Sequence, residues 1–258
     1  MPLIGPFKTL LLRGLLAGLI AGLLAATVGY FVGEPQVDAA IAIEEAGSAG
    51  HSHAPEATEG HSHGGEEPLV SRSGQKAGQF LALGLAGMAF GALFASAVNV
   101  ARRFTKLSGP QLSLTAAVLA WAAIVAVPFF KYPANPPAVG DPETINERTW
   151  LWVAAVVLGL LAVSAAVAAY RALVASDTLR LVAGVGAFVV VTTVGYVLLP
   201  GVNEVADDFP ATLLWNFRVA SLAETTTLWV SLGLAFAALT EFASRRSTPV
   251  VDQVPTAG

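Results

Sequence analysis

Two His-Ser-His units carry all the histidine in this chain, His51-Ser52-His53 and His61-Ser62-His63. In an extended chain, residues two apart point to the same side, so both imidazoles of a unit can reach one ion. Imidazole suits cobalt, nickel, copper and zinc, and Glu44, Glu45, Glu56, Glu59, Glu66 and Glu67 place hard oxygens around the pairs. The chemistry on offer is chelation of a divalent cation, with His51, His53, His61, His63, Glu44 and Glu45 as the candidate ligands. Chelation needs neutral imidazole, so capture should weaken below about pH 6.5. The bland alternatives are a solvated acidic turn at Glu44-Glu45 and a solvated low-complexity insert around the histidines.

Glu224 is the one acid well inside an apolar segment, and Thr225, Thr226 and Thr227 follow it. An intramembrane carboxylate is costly, so it reads as an ion ligand or a proton-exchange group. Its alternative is a place near the membrane boundary, reaching water or the neighbourhood of Arg218. Asn135 and Asp141 in one polar linker, and Asn203, Glu204 and Asp208 in the next, combine carboxylates with amide oxygens and could form the mouth of a cation path. Turn formation and helix capping would use the same residue types. Gly14, Gly18 and Gly22 recur every fourth residue, giving one helix a smooth face for close approach of another helix, in this chain or in a single-span partner.

The chain has no cysteine and two methionines. That excludes thiolate sites and makes a thioether route for Cu(I) unpromising. No nucleotide-binding loop and no Gly-x-Ser-x-Gly elbow occurs, so enzyme activity is not expected. Basic clusters are too short for nucleic acid. No tightly bound cofactor is expected; the divalent cation is cargo, cobalt first, nickel or zinc as alternatives.

These residues must be positioned by a membrane. Of 258 residues, 55% are hydrophobic and only 12% charged, and the mean hydropathy is +0.65. A soluble domain carries about twice that charged fraction. Six segments approach the roughly 20 helical residues needed to cross a bilayer: Thr9–Val32, Gln79–Val100, Leu112–Phe130, Thr149–Leu173, Leu179–Leu199 and Val219–Phe242. The third is the shortest and ends at Pro128. Pro210–Arg218 reads as an interfacial turn or as an extension of the sixth. The expected fold is all-α, a polytopic bundle of about six transmembrane helices, with five as the alternative. It forms a single membrane domain over residues 1–245, with a His/acid-rich outer insert at 46–67 and a flexible tail at 246–258. The first segment is too long for a signal peptide and lacks a clean cleavage site.

Basic residues set the orientation. With a cytoplasmic N-terminus, Lys8, Arg13, Arg102, Arg103, Lys106, Arg171, Arg180, Arg245 and Arg246 lie inside, nine of the fourteen Lys and Arg. Nearly all acids then fall outside, and the negative surface concentrates cations there. The second and third outer linkers share the pattern Asn-x6-Pro-x-Thr-aliphatic, at Asn135 to Ile145 and Asn203 to Leu213. This weak repeat suggests three helical hairpins, each later helix opening on its proline.

Several motifs are longer and more specific: Leu11-Leu12-Arg13-Gly14-Leu15-Leu16-Ala17-Gly18, Gly33-Glu34-Pro35-x2-Asp38, Lys131-Tyr132-Pro133-Ala134-Asn135-Pro136-Pro137, and Asn203-Glu204-Val205-x2-Asp208-Phe209-Pro210-Ala211-Thr212-Leu213-Leu214-Trp215. On these the chain resembles the CbtA family of cobalt transporter subunits over nearly its whole length. The resemblance implies a bacterial inner-membrane cobalt transporter linked to cobalamin synthesis. It also implies a small single-span, His-rich companion subunit. The lipid bilayer and a second copy of the chain complete the expected partners. The family is often described with five spans. The competing functional reading is a non-transporting metal sensor or chaperone subunit that presents ions to a partner permease.

Overall fold

A computed structural model describes residues 3, 5–50 and 70–246. Among them every regular element is helical. Helix α1 (Phe7–Val28) runs through a π-turn (Gly29–Gly33) into α2 (Glu34–Gly50). Then come α3 (Arg72–Ala101), α4 (Gly109–Trp121), a second π-turn (Ala122–Ala126) and the short α5 (Val127–Lys131). A 3-10 turn (Pro142–Thr144) opens α6 (Ile145–Ala172), and α7 (Asp177–Leu198) and α8 (Ala211–Arg246) complete the chain. Six continuous helical rods are long and apolar enough to cross a membrane: Phe7–Gly47, Arg72–Ala101, Gly109–Lys131, Pro142–Ala172, Asp177–Leu198 and Ala211–Phe242. The chain is an all-α, multi-pass membrane protein.

The rods are longer than the apolar stretches. Glu44 and Glu45 lie on α2, so the acidic-turn reading is corrected: the first rod continues past its apolar part as a polar helix. Pro210–Arg218 resolves as an extension of α8; Pro210 precedes the helix and its carbonyl accepts from the Leu214 amide at 3.1 Å. Nor does the third rod end at Pro128. Proline lacks the N–H that would serve the carbonyl four residues back, and the π-turn takes up the mismatch. Both π-turns end two residues before a proline, Gly33 before Pro35 and Ala126 before Pro128.

Helices α3, α4 and α7 start on a serine cap. The Ser71 Oγ accepts from the Gly74 amide at 3.2 Å, and Ser176 Oγ accepts from Leu179 at 3.4 Å. Ser108 and Gln111 form a reciprocal capping box. Inside the rods, several hydroxyls bond to the preceding turn: Ser96 to Ala92, Ser113 to Gly109 and Ser164 to Leu160.

Helix α1 packs against α3 and α8, and α4 packs against α8. Their shared core holds Leu10, Ala17, Ala21, Phe94, Val98, Leu232 and Phe236. Phe94 meets Phe236 edge to face at 5.4 Å between ring centres. Helices α6 and α7 form a second layer: α7 packs on α6, and α6 leans on the α4–α5 π-turn. The expected third hairpin is therefore replaced, because α8 turns away from α7 to join α1 and α4. Helix α7 buries only Gly184. Its exposed Val189, Val190, Val197 and Leu198 suit lipid and would be an aggregation hazard in water.

One end of the bundle is basic and short-looped. Arg102 donates to the Leu3 and Gly5 carbonyls at 3.2 and 3.0 Å, Arg171 donates to the Phe104 carbonyl, and Arg180 donates to the Tyr170 carbonyl at 3.1 Å. The opposite end carries Glu34, Arg72 and the two proline-rich linkers.

Candidate functional site

The α1–α3 contact decides where every polar group at the far end lands. A Cβ added to Gly14 would run into the Gly91 carbonyl, one on Gly18 into the Gly87 carbonyl, and one on Gly22 into the Leu83 carbonyl. The reverse holds at Gly87 and Gly91, which press on Gly18 and Gly14. Only glycine lets the two backbones approach this closely. The antiparallel register continues upward and sets the α1 π-turn beside the start of α3.

At that level Glu224 comes in from α8. A Cβ on Gly29 would collide with both the Glu224 carboxylate and the Gln79 amide, so these two groups share the space left by the missing side chain. Gln79 Oε1 is buried and receives no hydrogen bond. Glu224 itself is half-buried. Gly29 lies 22 residues beyond Phe7 (29 − 7), about 33 Å of helix at 1.5 Å per residue. Glu224, at the level of Gly29, lies 13 residues (224 − 211) into its helix. The following threonines are engaged: Thr225 Oγ1 and Thr227 Oγ1 donate to the Ser221 and Ala223 carbonyls at 2.8 Å each, and Thr226 Oγ1 accepts from Trp121 Nε1 at 3.0 Å. Trp121 is the residue just before the second π-turn, so both π-turns bear on the same stretch of α8.

Directly beyond Glu224 stands an ion-paired lattice. Arg72 bridges Glu34 and Asp38, the latter at 2.8 Å, and Lys76 reaches Asp38 at 2.7 Å and Glu34 at 3.9 Å. These four residues were not among the candidate ligands. Their signal is in the sequence: Glu34 and Asp38 are four apart, as are Arg72 and Lys76, so each pair shares one helix face.

The two proline-rich linkers meet over a cavity of about 820 Å³. Asn135, Asn203 and Glu204 line it, together with Arg148, Trp152 and Arg218. Asp141 and Asp208 are exposed and outside its lining. Glu204 is the staple of the linkers: Oε1 accepts from Thr144 Oγ1 at 2.6 Å, and Oε2 accepts from the Asp141 amide at 3.0 Å. Arg148 Nε lies 3.2 Å from Oε2, off hydrogen-bond alignment, so that pairing is charge alone. The Thr144 hydroxyl, then the Asp141 amide and the Arg148 charge, outweigh partial burial and hold the Glu204 carboxyl below the ordinary glutamate range. The Asp141 carboxylate caps the 3-10 turn, accepting from the Glu143 amide at 2.8 Å. Asn203 Oδ1 accepts from the Val205 amide at 3.4 Å, and Asn135 Oδ1 accepts from Arg218 Nη2 at 2.9 Å. Tyr132 donates to the Pro200 carbonyl at 2.8 Å, and burial raises its phenol above the ordinary value, keeping it protonated.

Glu44 and Glu45 are exposed on α2. His51, His53, His61 and His63 lie outside the described residues. Among the described residues no three His, Asp or Glu side chains gather closely enough to hold a metal ion.

The fold defines the class: an all-helical multi-pass membrane protein, glycine-packed between its first two long rods. The chain is a member of the CbtA family, described as a probable cobalt transporter subunit, whose sequence model matches residues 7–241. No curated protein and no solved structure matches it.

Proposed function

We propose that this chain is the membrane subunit that carries a divalent transition metal, cobalt first and nickel or zinc as alternatives, across a bacterial inner membrane. Its N-terminus is cytoplasmic and the linker end faces outward. His51, His53, His61 and His63, with Glu44 and Glu45 on the polar end of the first rod, capture the ion. The exposed acids Asp141 and Asp208 draw cations to the mouth, while Asn135, Asn203 and Glu204 in the same linkers hold its shape. Glu224, with Gln79 beside it, then takes the ion at the rim of the apolar layer. A small single-span, His-rich companion hands over or receives the metal.

The observation that carries this reading is the meeting of Glu224 and Gln79 at Gly29. Glu224 Oε2 and the Gln79 amide nitrogen meet there, Gln79 Oε1 is buried without a donor, and Arg72 and Lys76 nearby are already paired with Glu34 and Asp38, which leaves the Glu224 carboxylate as the oxygen ligand for an ion. Inward movement is favoured by the membrane potential, worth about 2.3 kcal/mol per elementary charge per 100 mV.

Cellular cobalt accumulation tests the capture step. With all four histidines changed to alanine, accumulation should fall when external Co²⁺ is scarce and recover when it is abundant. Normal accumulation at scarce Co²⁺ would remove the histidines from the mechanism.

A further inference from the structure

The cavity between the linkers has the wrong charge for a cation. Glu204 is the only acid in its lining, and both its oxygens are engaged by Thr144, Asp141 and Arg148. Arg218 reaches the same cavity from α8. Its hydrogen bonds go to uncharged oxygens, Asn135 Oδ1 at 2.9 Å and the Ala134 carbonyl at 3.3 Å. Among the described residues no carboxylate forms an ion pair with Arg218. A guanidinium has five N–H donors in a planar fork, and these two bonds leave most of the fork free. One positive charge is left over once Arg148 and Glu204 cancel.

Size points the same way. A volume of about 820 Å³ lies within the range of small-molecule sites and far exceeds one ion. Trp152, Val139 and Val202 supply apolar wall, while Asn135 and Asn203 supply amides. The geometry points to a binding site for an organic oxyanion, its carboxylate or phosphate against Arg218 and its carbon body against Trp152. Arginine suits this because its fork matches both groups in a bidentate fashion. The site is separate from the Glu224 junction, and its occupancy does not depend on metal passage. Two sources share this chemistry: a free organic acid and the headgroup of an anionic lipid.

The full-length chain, purified in uncharged detergent, is titrated calorimetrically with citrate as the free-acid probe. In parallel its melting temperature is compared in phosphatidylglycerol and phosphatidylcholine nanodiscs. Citrate binding that weakens at least about tenfold in R218Q, or a phosphatidylglycerol stabilisation lost in R218Q, supports the site and names its source. R218K, which keeps the charge but not the fork, should be intermediate. If R218Q does not fold, added salt serves instead, and it must weaken whichever effect the wild type shows. No citrate binding together with equal melting in the two lipids overturns the inference, as does an effect that R218Q or salt leaves unchanged.

Discussion

The Glu224 carboxylate occupies the space that a side chain on Gly29 would fill. One residue type at the start of the first π-turn thus permits a charged group on α8 to reach the inner side of the bundle. Gly29→Val should displace Glu224 and Gln79, lower stability by about 1–3 kcal/mol as overpacking does, and reduce metal accumulation. Gly33→Ala, in the same π-turn but with nothing near a new Cβ, is the matched control and should behave as wild type. Melting in detergent and cellular metal content check the pair.

The α1–α3 contact is backbone against backbone, so it cannot yield by rotating a side chain. Gly18→Ala should destabilise the protein by about 1–3 kcal/mol. Gly78→Ala, on α3 with open space around it, should fall within about 0.5 kcal/mol of wild type. Equal melting temperatures for the two variants would contradict the packing described.

Trp121 and Thr226 tie the second π-turn to α8 through a 3.0 Å hydrogen bond. Thr226→Val keeps the shape and removes the acceptor, leaving a partly buried indole N–H unpaired. The expected loss is about 1–3 kcal/mol, measured by chemical or thermal unfolding in detergent.

Glu204 gives the linkers an acid-sensitive staple. Its carboxyl titrates lower when folded than when unfolded. The stabilisation it provides is therefore complete above the ordinary glutamate value of 4.5 and is lost as pH falls from there through the folded value. Melting temperature should drop with acidification below about pH 4.5, and Glu204→Gln should flatten that part of the profile. An unchanged profile in the variant would show that the staple contributes nothing.

The six rods were legible because hydropathy and length decide what crosses a bilayer. Their ends were not. Ser71–Gly78 and Glu34–Gly50 are rich in polar residues, and hydropathy is silent about a helix held by a serine cap and by cross-helix ion pairs, while Ala211–Arg218 was legible only as a turn or an extension. Glu224 stood out by type, but its partner Gln79 did not, since a neutral amide at the edge of an apolar run carries no signal until the glycine register places it. The prolines at 35 and 128 bear on the π-turns through the N–H each one lacks, but in the sequence Pro128 read only as the end of the third segment. The linker acids were readable as charges only. That Glu204 is consumed by Thr144, Asp141 and Arg148, while Arg218 is left without a carboxylate, depends on two linkers 60 residues apart in sequence coming together (204 − 144). Helix α8's choice of α1 and α4 over α7 likewise has no local cause.

Cobalt accumulation in cells expressing Glu224→Gln, at a membrane level matched to wild type, tests the path most directly. The account predicts that accumulation falls to the background of cells lacking the protein, with melting in detergent little changed. Accumulation equal to wild type would show that metal does not pass by this carboxylate.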